Sequence, residues 1–231
     1  MASNKLSKGE ASNDKALSDR VFISVPCSID KFKDSKSSRS RRLWIKDNIE
    51  GFYLTPSGKR YEDLVTDDIV FLSIKEEYDN LKLFNSSLNP SSEWRFHQDI
   101  YRKKKEAKAI VHAHSPHATA VSVHGKSIPA FHYMVALAGG DDIKCAEYAT
   151  FGTTELSKNI INALEKRKAC LMSNHGQVAF GTNLKQAFEL AEEVENICHQ
   201  YIIALKIGNP KILSSTEMNK ILDKIKHYKK A

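Results

Sequence analysis

The stretch PSSEWRFHQDIYRKKKEAKAIVHAH, residues 90–114, changes its periodicity part-way along. Pro90-Ser91-Ser92-Glu93 opens a helix that either serine can cap, and Trp94, His97 and Tyr101 then recur along one face. From Ala109 the period falls to two, so Ile110, His112 and His114 share one side of a strand. A helix whose N-terminus carries Glu93 thus feeds a strand that carries two histidines. Working outward, Asp68 to Ser73 reads as a short buried strand. Thr55-Pro56-Ser57-Gly58 reads as a turn, and Trp44-Ile45 and Phe52 to Leu54 as the arms of a hairpin about Lys46-Asp47-Asn48. Downstream, a helix is expected across Tyr133 to Ala138, stopping at Gly139-Gly140. Another runs from Thr154 to Lys166, capped by Thr153 or Thr154. Strands Ala169 to Met172 and Gln177 to Phe180 flank Asn174-His175-Gly176. A long amphipathic helix spans Leu184 to Ile207 and ends at Gly208-Asn209-Pro210, and a last helix covers Ser215 to Tyr228. This irregular alternation predicts an α/β fold: a three-layer α/β/α domain with a mainly antiparallel central sheet.

The chain of 231 residues is long enough for one well-buried domain. Its 41% hydrophobic and 27% charged residues are ordinary for a soluble globular protein. No apolar run approaches the length of a membrane span. Met1 to Arg20 is polar throughout, without the apolar core of a signal peptide. Cys27, Cys145, Cys170 and Cys198 lie far apart with no CxxC spacing, which predicts reduced thiols in the cytoplasm. The net charge of +7 is concentrated in Lys31 to Arg42 and Lys220 to Lys230. Neither run is interleaved with stacking aromatics, so attraction for anionic substrates is expected rather than nucleic-acid binding.

His112 and His114 on one strand face can reach a common point, and His175 adds a third imidazole from a tight turn. Three neutral nitrogens suit Zn²⁺ and leave one position for a carboxylate such as Glu93, for water or for substrate. An isolated His-x-His pair is weak evidence, so the residues alone stop at a candidate three-histidine site. His97, His117, His124, His132, His199 and His227 are read as structural or surface histidines.

The motifs become specific in combination. Pro90 to His97 (PSSEWRFH), Val111 to Ser115 (VHAHS), Ile128 to Tyr133 (IPAFHY), Tyr148 to Thr153 (YATFGT) and His175-Gly176 occur in that order. This pattern closely resembles the class II aldolase and adducin family, over roughly residues 43 to 230. The resemblance implies one Zn²⁺ per subunit, held by His112, His114 and His175, with Glu93 a ligand that swings away to act as acid/base. It also implies that Tyr133 lines the site and that Tyr228 donates a proton from a neighbouring subunit. Ser57, Gly58, Ser91 and Ser92 would cradle a phosphate, and Phe151 would form a wall for the aldehyde. Without the resemblance, Ser91 and Ser92 read as helix caps, and Tyr133 and Phe151 as core aromatics. The activity implied is cleavage of a ketose 1-phosphate, of the fuculose 1-phosphate type, to dihydroxyacetone phosphate and an aldehyde. A homotetramer with sites at subunit interfaces is implied as well. The same fold and histidines would serve a pentulose-phosphate 4-epimerase or a methylthioribulose-phosphate dehydratase. An adducin-like interaction module would dispense with the metal.

Residues 1 to 42 depart from the family's pattern. A glycine- and asparagine-rich phosphate loop is expected before the hairpin, and Ser37-Ser38-Arg39-Ser40-Arg41-Arg42 stands there instead. Only glycine lets backbone N–H groups approach an anion so closely. The expectation is a poorly ordered or mis-translated N-terminal segment, with one strand at Val21 to Val25, ahead of the domain formed by residues 43–231.

Overall fold

The computed structural model describes residues 21–28, 50–60, 63–75 and 88–228. The expected hairpin turn at Lys46 to Asn48 and the arginine-rich run Ser37 to Arg42 lie outside them. The strands are β1 (Val21–Ser28), β2 (Glu50–Leu54), β3 (Val70–Ser73), β4 (Ala109–Ala113), β5 (Cys145–Ala146), β6 (Ala169–Met172) and β7 (Gly176–Gly181). The helices are α1 (Trp94–Lys103), α2 (Pro116–Ser122), α3 (Thr154–Ala163), α4 (Leu184–Ile207) and α5 (Ser215–Tyr228).

The strands form one sheet in the order β3-β2-β1-β4-β7-β6-β5. All the pairings are antiparallel except β5 with β6, which is parallel, so the sheet is mixed with antiparallel pairing predominant. Strand β1 falls within residues 1 to 42 and sits between β2 and β4, so the sheet continues across the boundary at residue 43.

Two apolar cores make the three layers. Alternation along β4 sends Ala109, Val111 and Ala113 into one core, with Ala118 and Val121 of α2, Ala187, Ala191 and Val194 of α4, and Met218 of α5. Ile110 points the other way, against Trp94, Phe96 and Ile100 of α1 and Leu156 and Ile160 of α3. The period of two therefore directs His112 toward the α1 layer, where the Phe96 ring meets it edge-on with centroids 5.3 Å apart.

Three local expectations change. Tyr133–Ala138 is a 3₁₀ helix; six residues closed by Gly139 in the left-handed region suit the tighter i→i+3 turn. The helix from Thr154 ends at Ala163 rather than Lys166, because Lys166 turns to φ 56° and leaves the helical region. At α1 the cap position belongs to Glu93, not to either serine. Ser91 supports that turn by accepting from Glu93 N at 3.3 Å through Oγ and from Trp94 N at 3.1 Å through its carbonyl.

Candidate metal centre

Glu93 occupies the N-cap of α1, yet its carboxylate makes no capping hydrogen bond. It is only 5% exposed and turns toward the sheet, where Oε2 lies 3.0 Å from His112 Nε2 and 3.2 Å from His175 Nε2. Neither carboxylate oxygen completes a hydrogen bond. His112 Nε2 also lies 3.0 Å from His114 Nε2. The three imidazole centroids are 4.8–5.0 Å apart, and the ligand atoms of all four residues fall within 4.8 Å of one another.

These separations are those of atoms converging on a common centre. A tetrahedral ion with bonds of about 2.0–2.1 Å spaces its ligand atoms about 3.3 Å apart. The tautomer of His112 agrees, because Nδ1 donates to the Gln177 carbonyl at 2.8 Å and leaves Nε2 with its lone pair. Burial pushes the Glu93 carboxyl up, but the His112 and His175 rings beside it outweigh that and hold it well below the usual carboxylate range. An ionised carboxylate and three imidazoles fit a divalent ion of the zinc type.

Each ligand is held by its own local structure. His112 and His114 come from β4 and the residue following it, with His112 in register with Val178 on β7. His175 lies in the turn between β6 and β7, where Asn174 adopts φ 56°, a left-handed conformation that asparagine tolerates. Its backbone N–H donates to Met172 O at 3.0 Å and to Ser122 Oγ at 3.3 Å. Gly176 lets this turn lie close to β4, since a Cβ there would sit 2.4 Å from Ala113 O and 3.1 Å from His114 Cδ2. Gln177 ties the base of the site together by donating to Ser115 Oγ at 2.9 Å and to Ala191 O at 3.0 Å. The sequence reading missed Ser122, Ser115 and Gln177. Only their placement beside the histidine motifs could have signalled them.

The residues matched to a phosphate cradle gather at the N-terminus of α1. A bridge between Pro56 and Pro90 brings the two segments together, with Ser57 N donating to Asn89 O at 3.0 Å and Ser91 N to Thr55 O at 3.2 Å. Gly58 adopts φ 75° in open space. Ser91 is buried and Ser92 is exposed. The Phe151-Gly152 turn abuts the same place, because a Cβ on Gly152 would lie 3.1 Å from Ser92 O. Phe151 itself is 66% exposed and Tyr133 52% exposed, so neither is a core aromatic. The Tyr133 ring packs against that of His132, with centroids 4.8 Å apart. Tyr228 ends α5, and its side chain lies outside the described residues. A cavity of about 290 Å³, bordered by Glu106, Lys168 and Glu193 among others, lies elsewhere and is lined by none of the four ligands.

No described helix is long and apolar enough to cross a membrane. Cys145, Cys170 and Cys198 are free thiols.

Residues 39–202 match the Class II Aldolase and Adducin N-terminal domain. The chain is 47% identical over 179 residues to a 5-methylthioribulose-1-phosphate/5-deoxyribulose-1-phosphate aldolase of Rhodospirillum rubrum, covering 78% of each chain. It is 46% identical over 180 residues to the L-fuculose phosphate aldolase of Escherichia coli K12, covering 78% of this chain and 81% of that one. A solved L-fuculose 1-phosphate aldolase superposes with a TM-score of 0.74 at 34% identity, covering 90% of this chain and 87% of the other. With a family match over most of its length and relatives this similar, the chain belongs to the class II aldolase and adducin family.

Proposed function

We propose that the chain is a Zn²⁺-dependent aldolase that cleaves a ketose 1-phosphate to dihydroxyacetone phosphate and an aldehyde. The observation that carries this reading is the convergence of Glu93 Oε2 and the His112, His114 and His175 rings on one point. An adducin-like module has no use for a buried carboxylate brought to three imidazoles. When bound, the divalent ion supplies Lewis-acid stabilisation of the negative charge that develops as the carbon–carbon bond breaks. His112, His114 and His175 would hold it.

The remaining chemistry belongs to the side chains. Glu93 acts as the acid/base at the substrate carbon, since its carboxylate is buried, ionised and not committed to capping the helix. The first turn of α1 carries partial positive charge, and Ser91, Ser92, Ser57 and Gly58 beside it bind the phosphate. Phe151 bounds the aldehyde end, Tyr133 lines the site, and Tyr228 reaches in from a neighbouring subunit of a homotetramer as proton donor. The exposure of Tyr133 and Phe151 supports that assembly, because large aromatics left open on one chain suit an interface. The reading places the enzyme in the cytoplasm.

The relatives favour two ketose 1-phosphates, fuculose 1-phosphate and 5-deoxyribulose 1-phosphate or its methylthio analogue. The test is aldehyde release from each in parallel, with and without chelator, using wild type and Glu93→Gln. Metal-dependent release that falls about 10²–10⁴-fold in Glu93→Gln is expected. Epimer or dehydrated product without aldehyde would replace the aldolase reading. Release that survives metal removal would refute the metal's role.

A further inference from the structure

His97 lies one helical turn beyond Glu93 on α1 and is fully buried. Its Nδ1 is 2.7 Å from Ser24 Oγ; Ser24 Oγ is 2.8 Å from the Tyr101 hydroxyl; and that hydroxyl donates to the Ser24 carbonyl at 2.8 Å. Each of the three side chains has one proton for these contacts, and one assignment satisfies all of them. Only the phenol can donate to the carbonyl, which commits its proton. Ser24 must then donate to the phenol oxygen, and His97 Nδ1–H must donate to Ser24. The chain therefore fixes the tautomer of His97 and leaves Nε2 as a bare lone pair. This Nε2 is buried without a hydrogen-bond partner, and so are both carboxylate oxygens of Glu93.

The surroundings keep the ring neutral. Burial first, and then the nearby His112, outweigh the opposing Glu93 carboxylate and lower the His97 pKa to about 3. His97 is thus within electrostatic reach of two metal ligands while being neither a ligand nor a cation. Glu93 and His97 are four residues apart on one helix, so their side chains lie over the same face.

Resting on the acid/base role given to Glu93 above, we propose that His97 is a positioning residue whose Nε2 accepts a hydrogen bond from the Glu93 carboxyl group while that group carries the substrate's proton. In the condensation direction the carbon-bound proton moves onto Glu93, and in cleavage it returns to the same carbon. His97 keeps its own single proton throughout. The acceptor selectively holds the protonated, metal-free orientation of Glu93, in which a carboxylate has nothing to donate.

Two substitutions separate the acceptor from the packing. His97→Asn keeps an amide able to donate to Ser24 but removes the acceptor at the Nε2 position; His97→Gln returns an amide oxygen near that position. Loss of one hydrogen bond in the reacting state lowers kcat by about 10-fold in His97→Asn, with KM within about 2-fold and zinc content unchanged. His97→Gln recovers part of that loss. In a Glu93→Gln background, His97→Asn has no further effect on kcat. Tyr101→Phe frees the Ser24 proton to reach Nδ1, so the His97 ring changes tautomer. In ¹⁵N spectra of histidine-labelled protein, Nε2 moves from the unprotonated to the protonated range, and kcat falls as in His97→Asn.

An active wild type whose kcat is unchanged in His97→Asn, or falls equally with and without Glu93, overturns the proposal and leaves the aldolase reading standing. A wild-type Nε2 in the protonated range overturns it as well. A zinc-loaded wild type that releases no aldehyde sinks the aldolase reading and this role with it. If His97→Asn does not fold, Tyr101→Phe and the wild-type spectrum decide.

Discussion

Replacing Gly176 by alanine tests whether the close approach of β4 and β7 is what assembles the metal centre. The added Cβ would lie 2.4 Å from Ala113 O, a contact that must open by about 0.6 Å before it reaches even 3.0 Å. Ala113 sits between His112 and His114, so the movement is delivered to the backbone that carries both rings. The same Cβ would crowd His114 Cδ2 at 3.1 Å. Overpacking of this kind costs about 1–3 kcal/mol. For a chain of this size that lowers Tm by roughly 2–12 °C. Displacing the orientation of ligating imidazoles costs about 10–100-fold in metal affinity. Zinc binding by titration calorimetry against a competing chelator and a thermal melt of the metal-free protein measure the two effects separately. The reasoning fails if Gly176→Ala binds zinc as tightly as wild type, or if the metal-free melts coincide.

Stripping the metal with a chelator abolishes aldehyde release. It also lowers the unfolding free energy by the binding energy lost, about 2.7 kcal/mol when free zinc had stood at 100 times its Kd, which a thermal melt reads as a lower Tm. Glu195 accepts from His117 N, Ala118 N and His117 Nδ1 at the start of α2, so Glu195→Ala leaves the buried Ala118 N–H and two partly buried donors unpaired. A loss of about 1–3 kcal/mol in urea denaturation is expected, with zinc content unaltered. Thr153 caps α3 by accepting from Leu156 N at 3.2 Å, and Thr153→Ala lowers stability by about 1 kcal/mol in the same assay. Burial holds His97 neutral down to about pH 3, whereas the unfolded chain protonates it near 6.5. The unfolded state binds the extra proton between those values, so stability falls with falling pH by up to about 1.4 kcal/mol per unit. In His97→Gln the slope of metal-free stability between pH 6 and pH 4 becomes shallower by one proton; an unchanged slope contradicts the buried neutral ring.

Much of the architecture was legible because it follows local periodicity. Alternation along Ala109–Ala113 assigns neighbouring side chains to opposite cores, and α4 begins and ends where its spacing and Gly208 predict. The boundaries that moved were set by backbone torsions the side chains do not announce, as with Lys166 at φ 56° closing α3 early. The cap of α1 was misread because Ser91 and Ser92 have the right chemistry, whereas the turn leaves Glu93 at the N-cap and Ser91 supporting it from outside. The sequence reads His97 as a structural or surface histidine. Its spacing fits that role, and nothing local reveals that Ser24, 73 residues away, dictates its tautomer.

The sequence by itself determined the types of the candidate ligands. His112 and His114 share a strand face whatever the rest of the chain does, because the period of a strand is two. The combination of motifs around them determined the family. What only the tertiary structure decided is the centre itself: Glu93, His112, His114 and His175 come from a helix start, a strand end and a turn, and no spacing rule brings them within 4.8 Å. That convergence depends on β4 and β7 pairing closely over Gly176, on Gln177 orienting His112, and on α1 packing its first turn onto the sheet. A metal needs several lone pairs at one point, and only long-range packing can hold them there against the cost of burying them.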